Sequence, residues 1–129
     1  MTMPFWAVVF LVFFPTVIAG VGNYYRYREF GCLDNSNPRE QYAASTNIAG
    51  RAWAAQQNAW EALAVFIPAV FIAHLAGADT EHSAIASIIY CVARVTHFVF
   101  YLANLSTLRS LSYTVALACC VWLFYLAAV

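Results

Sequence analysis

Hydrophobic and polar positions divide the chain into four long apolar runs: Pro4 to Tyr25, about Arg51 to Ala76, about Ser83 to Leu105, and about Thr107 to Ala128. Each is long enough to cross the hydrocarbon core of a bilayer, which takes roughly 20 helical residues. The only long connection, REFGCLDNSNPREQYAAST, carries a cluster of Asn, Ser and Pro that reads as turns. Ser45 or Thr46 can cap the next helix, and the Ala-rich, Gln-containing segment NIAGRAWAAQQNAWEALA suits an interfacial first half that becomes fully apolar near Val65. The pattern predicts one all-α domain, an integral membrane four-helix bundle with helices over about 4–25, 46–76, 83–105 and 107–128. Pro15 and Pro68 fall inside spans and should kink them. Trp53 and Trp60, two turns apart, read as lipid-facing or interfacial anchors.

Composition agrees with that pattern. With 64% hydrophobic and only 9% charged residues, the chain lies far from the roughly 25% charged composition of soluble domains. The first run has no basic residue ahead of it and is followed by Arg26 and Arg28, so it reads as a retained helix and not as a signal peptide. Zero net charge implies no particular partner and no nucleic-acid surface. Where the charges sit is more informative, because every basic residue is Arg. Arg26, Arg28 and Arg39 follow the first span and Arg109 follows the third, whereas the loop GADTEHS after the second carries Asp79 and Glu81 and no Arg. The positive-inside rule then places both odd-numbered loops in the cytoplasm and both termini on the non-cytoplasmic side. Cys91, Cys119 and Cys120 fall within spans and Cys32 in a loop expected to face the reducing side, so no disulfide framework is implied. His74, Asp79, Glu81 and His82 lie close together, but their spacing matches no standard metal site.

The third span, SAIASIIYCVARVTHFVFYLANL, carries Arg94 and His97 in its middle, a costly placement in hydrocarbon. The second and third spans run in opposite directions, so depth can be measured from one face. Arg94 lies ten residues before Asn104 and Glu61 ten residues after Arg51, which puts both roughly 15 Å deep at 1.5 Å per residue. His97 and Asn58 match at about 10 Å. Arg94, His97 and Tyr101 follow i, i+3, i+7 on one helix face, and Arg51, Asn58 and Glu61 follow i, i+7, i+10 on the other. The expectation is a structural ion pair between Glu61 and Arg94, within a subunit or across a subunit interface, since either charge alone would cost several kcal/mol. A purely structural polar lock needs fewer groups than Arg51, Gln57, Asn58, Glu61, Arg94, His97 and Tyr101 supply. Arg109, Ser110 and Tyr113 open the fourth span at the same face. So much polarity at one depth suggests a wet cavity, and the Ala-rich second span permits close packing between subunits around it.

These residues resemble a known family, the membrane-associated proteins in eicosanoid and glutathione metabolism, shortened to MAPEG. The resemblance covers nearly the whole chain. It rests on NAWE, matching Asn-x-x-Glu at Asn58 and Glu61; on RVTHFVFY, matching Arg-x-x-His-x-x-x-Tyr at Arg94, His97 and Tyr101; and on RSLSY, matching the Arg-Ser-x-x-Tyr that opens the last helix. A fuller similarity is to uncharacterised bacterial members, carried by AVFIAHLAGAD and YLANLSTLRSL, and it implies a multi-pass protein of a bacterial inner membrane.

The resemblance implies a homotrimer with the second span lining its centre and glutathione, as co-substrate, bound between subunits near the cytoplasmic face. The implied activity is that of a glutathione-dependent transferase or peroxidase acting on a lipophilic small molecule that enters from the membrane lipids. Carried over by position, Arg109, Tyr101 and Ser110 are the catalytic group, and Arg26, Arg51, Asn58, Glu61, His97 and Tyr113 hold the tripeptide. The chain departs from the well-known eukaryotic enzymes, which read Arg-Ala-His-x-Asn before the helix Asn, by having Ala54, Ala55, Gln56 and Gln57 there. Arg26 or Arg28 would then replace the missing contacts. The other expectation is a member that has kept the scaffold without catalysis, as a lipid-binding protein or an accessory subunit of a larger membrane complex.

Overall fold

A computed structural model describes residues 1–129. Five helices follow one another: α1 (Met3–Phe30), α2 (Pro38–Ala44), α3 (Ile48–Leu75), α4 (Thr80–Leu102) and α5 (Ser106–Ala128). All but α2 are long and apolar enough to cross a membrane. α1 packs along α3 and α4 along α5, while α3 against α5 and α1 against α4 close the bundle. Small side chains allow this closeness: Ala55, Ala59, Ala69, Ala73, Ala86, Ala93 and Ala116 are all buried, and Phe66, Ile18 and Leu123 fill the space between them. The bundle is apolar on its outside as well. Phe13, Val17, Val92 and Val121 are more than half exposed, an arrangement that suits lipid and not water.

Helix ends depart from the expected boundaries where a local backbone signal outweighs hydropathy. α1 runs on past Tyr25 to Phe30, because Gly31 supplies the left-handed residue that ends it (φ 74°) and donates its N–H to the Tyr27 carbonyl at 2.8 Å. α4 begins at Thr80, ahead of Ser83, because the Asp79 carboxylate caps it by accepting the His82 N–H at 2.7 Å. It ends at Leu102, with Asn104 left-handed at φ 58°.

The connection expected to be turns contains α2. Pro38 occupies the start of this helix and Glu40 its first turn, both favourable there. Tyr42 anchors it: the ring is 8% exposed, stacks on Trp53 and donates its hydroxyl to Asn23 Oδ1 at 2.8 Å. Burial pushes the Tyr42 hydroxyl up from its ordinary pKa against an opposing pull from Arg26. Trp53 is therefore partly packed by protein, while Trp60 remains exposed. Glu29 ties the end of α1 to the start of α3 by accepting from the Ser45 hydroxyl, the Thr46 N–H and the Asn47 amide.

Candidate functional site

α4 ends and α5 begins at the same end of the bundle, and the short turn between them brings their polar residues together. A cleft of about 540 Å³ there is lined by Asn58, His97, Tyr101, Arg109, Ser110, Tyr113 and Thr114. It thus gathers all three expected catalytic residues with three of the expected binding residues. Arg109 makes no side-chain hydrogen bond within the chain. Its guanidinium lies over the Tyr101 ring, 4.6 Å from the centroid, and this cation–π contact steadies it without consuming its N–H groups. Ser110 donates its hydroxyl to the Ser106 carbonyl at 3.1 Å, so it offers an incoming group its lone pairs first and its proton only after rotating. His97, 3% exposed, sits edge-on to Tyr101 and tilted to Tyr113.

One turn deeper, Arg94 is 3% exposed and does not form the expected ion pair with Glu61 within the chain. Asn58 stands between them. Arg94 Nη2 donates to Asn58 Oδ1 at 2.8 Å and to the Asn58 backbone carbonyl at 3.3 Å, and the Asn58 amide donates to Glu61 Oε2 at 3.4 Å. Counting Cα positions matched Arg94 with Glu61, but a guanidinium on a four-atom stem spans about a helical turn, and Asn58 offers it two oxygens. Arg94, Asn58, Glu61 and Tyr113 also line a second, more apolar cleft of about 390 Å³, which shares Asn58 and Tyr113 with the first. Tyr90 and Cys120 line it too. Sequence reasoning passed over both, although Tyr90, four residues before Arg94, carries the helical spacing that reveals it.

Two expected binding residues lie elsewhere in the single chain. Arg26 is 3% exposed, 4.4 Å from the Tyr42 ring centroid, and donates to the Pro38 carbonyl. It latches α2 onto α1 and is not presented to a ligand. Arg28, by contrast, is exposed and reaches Tyr24. Arg51 donates Nε to the Leu102 carbonyl at 3.2 Å and lines a separate recess of about 690 Å³ with Arg28, Glu29 and Asn47. The cluster suspected at the other end of the bundle is a helix cap: Asp79 accepts from both the backbone and the ring of His82. These contacts, the His82 backbone N–H foremost, hold the Asp79 carboxyl below its usual pKa.

Chemically, the first cleft presents a cation with free donors beside two phenols, a hydroxyl and a carboxamide, with an apolar chamber adjoining. Such a set can stabilise an anion, a thiolate included, next to a water-poor space. Among curated proteins no match is found. The family model described as MAPEG family matches residues 3–129, which takes in every side chain of both clefts. The chain is therefore a multi-pass helical membrane protein that belongs to the MAPEG family.

Proposed function

We propose that the protein is a glutathione-dependent transferase or peroxidase for lipophilic electrophiles, with Arg109 as the residue that stabilises the glutathione thiolate. The observation that carries this reading is the Arg109 guanidinium, held over Tyr101 with its N–H groups free, in a cleft that also contains Ser110, His97, Asn58 and Tyr113. Glutathione has two carboxylates, an ammonium group and a thiol. Arginines suit the first, Glu61 with Asn58 the second, and Arg109 the third. The thiol has an ordinary pKa near 8.5, and a cation beside it raises the thiolate fraction at neutral pH. In the transferase reaction the thiolate sulfur bonds to the electrophilic carbon as the leaving group departs with its electron pair. In the peroxidase reaction it attacks the terminal oxygen of the hydroperoxide, an S–O bond forms as the O–O bond breaks, the alkoxide leaves and takes a proton to become the alcohol, and a second glutathione converts the sulfenic acid to disulfide and water.

A homotrimer around α3 belongs to the same proposal. Glu61 lies 13 residues into a 28-residue helix, roughly 20 Å from either end, and both Glu61 and Gln57 are exposed there. Polar groups at that depth need cover other than lipid, and neighbouring copies provide it. The recess containing Arg28 and Arg51 then supplies the cations that Ala54 and Gln56 do not. The topology proposed with it puts the α4–α5 turn in the cytoplasm and both termini outside, in a bacterial inner membrane. One observation favours a second reading, a lipid-binding or accessory member without catalysis: Ala54 and Gln56 stand where active relatives have Arg and His, and Arg26 is committed beneath α2. The two readings separate on conjugation of glutathione to an aryl halide and on reduction of a lipid hydroperoxide. The first expects turnover that Arg109→Leu abolishes in a folded assembly. Absence of both activities and of glutathione binding selects the second.

A further inference from the structure

α4 ends at Leu102 and α5 starts at Ser106, so a three-residue turn separates the Tyr101 ring from the Arg109 guanidinium that lies over it. The 4.6 Å contact between those two groups therefore depends on the direction in which α5 leaves the turn. Ala103, Asn104 and Leu105 close the turn by donating their N–H groups to the carbonyls of Val99, Tyr101 and Phe100. These bonds satisfy three of the four carbonyls that a helix C-terminus leaves open. The fourth, Leu102, has no backbone donor and accepts from Arg51 Nε at 3.2 Å. Arg51 is the fourth residue of α3 and half-buried, and no other hydrogen bond joins α3 to this end of α4. Its positive charge also meets the negative end of the α4 dipole.

We propose that Arg51 is a positioning residue for the thiolate chemistry: through the Leu102 carbonyl it fixes the direction of α5 and so keeps Arg109 over Tyr101. It acts on the thiolate only through Arg109. The catalytic consequence rests on the glutathione reading, whereas the hold on the turn does not.

Side-chain length supplies the test. Glutamine places its amide nitrogen as many bonds from Cα as the Nε of arginine, so Arg51→Gln keeps a donor for Leu102 and loses the charge. Arg51→Met keeps the length and loses both. Two measurements follow on each protein: amide hydrogen exchange without ligand, and thiolate absorbance against pH at saturating glutathione. In Arg51→Met the Ala103, Asn104, Leu105 and Arg109 amides should exchange about tenfold faster. Its bound thiol pKa should rise by about one unit, a tenfold lower ratio of thiolate to thiol. In Arg51→Gln both should stay near the parent values, although glutathione binds more weakly to both variants for want of the recess cation. Unchanged exchange or an unchanged thiol pKa in Arg51→Met would overturn the proposal. An equal rise in Arg51→Gln would overturn it too, by showing that the charge acts on the thiolate directly. If Arg51→Met does not assemble, Arg51→Gln decides: parent-like exchange and thiol pKa uphold the proposal, and a raised pKa overturns it. A parent protein with no thiolate signal contradicts the glutathione reading instead, and the exchange comparison then decides whether Arg51 holds the turn.

Discussion

Arg94 is held by Asn58, and this can be measured against the alternative that Glu61 holds it. Asn58→Leu removes the 2.8 Å bond from Nη2 to Oδ1 and leaves the guanidinium only the Asn58 backbone carbonyl at 3.3 Å. A hydrogen bond to a charged group contributes about 1.5–3 kcal/mol, and an orphaned buried partner adds to the loss. Asn58→Leu should therefore cost about 2–4 kcal/mol, and Arg94→Met a similar amount by stranding the carboxamide. The double variant should recover about 1.5–3 kcal/mol of the summed loss, since removing both partners leaves nothing uncompensated. The parallel cycle of Glu61→Gln with Arg94→Met should couple less, because Glu61 reaches the guanidinium only through the Asn58 amide at 3.4 Å. Reversible unfolding in mixed micelles of rising SDS fraction, followed by tryptophan fluorescence, supplies the four free energies of each cycle. Additivity within about 0.5 kcal/mol for Asn58 and Arg94, or stronger coupling for Glu61, would refute the arrangement.

Three further outcomes are expected. Gly50→Ala should destabilise the start of α3 by about 1–3 kcal/mol, because the added Cβ would lie 2.9 Å from the Ser45 backbone carbonyl; an unchanged unfolding midpoint would contradict it. The Asp79 cap has a lowered folded pKa, so its contribution is fully present above the unfolded carboxylate value and is lost as pH falls through the folded one. Exchange protection at the His82 and Ser83 amides should accordingly drop in acid in the parent chain and stay flat in Asp79→Asn. Cys32, exposed beyond the end of α1, should react with a membrane-impermeant maleimide in inverted vesicles and not in intact cells; the reverse pattern would invert the proposed topology.

Four spans were legible because burial in lipid leaves a signal in every residue of a span, and no single position has to be read correctly. Helix ends were less so, since they depend on single residues such as Asp79, Gly31 and Asn104 whose backbone roles compete with hydropathy. α2 was hidden by its own start signals: Asn37, Pro38 and Glu40 serve a turn as well as a helix N-terminus, and only the tertiary anchor at Tyr42 decides between them. At the site, helical spacing brought Arg94, His97 and Tyr101 onto one face, and it found the cleft formed with Arg109, Ser110 and Tyr113. It could not separate Arg26 from Arg28, because which of two arginines α2 covers is settled by packing. Nor could it choose Asn58 over Glu61, because Cα depth says nothing about how far a guanidinium reaches.

The central claim, that Arg109 holds glutathione as its thiolate, is tested most directly by titrating the purified protein with glutathione and following thiolate absorbance in the ultraviolet. The account predicts a saturable rise at neutral pH in the parent protein, abolished in an Arg109→Leu protein that keeps the same oligomeric mass. A parent protein that shows no rise, or an Arg109→Leu protein that shows the same rise, would contradict it.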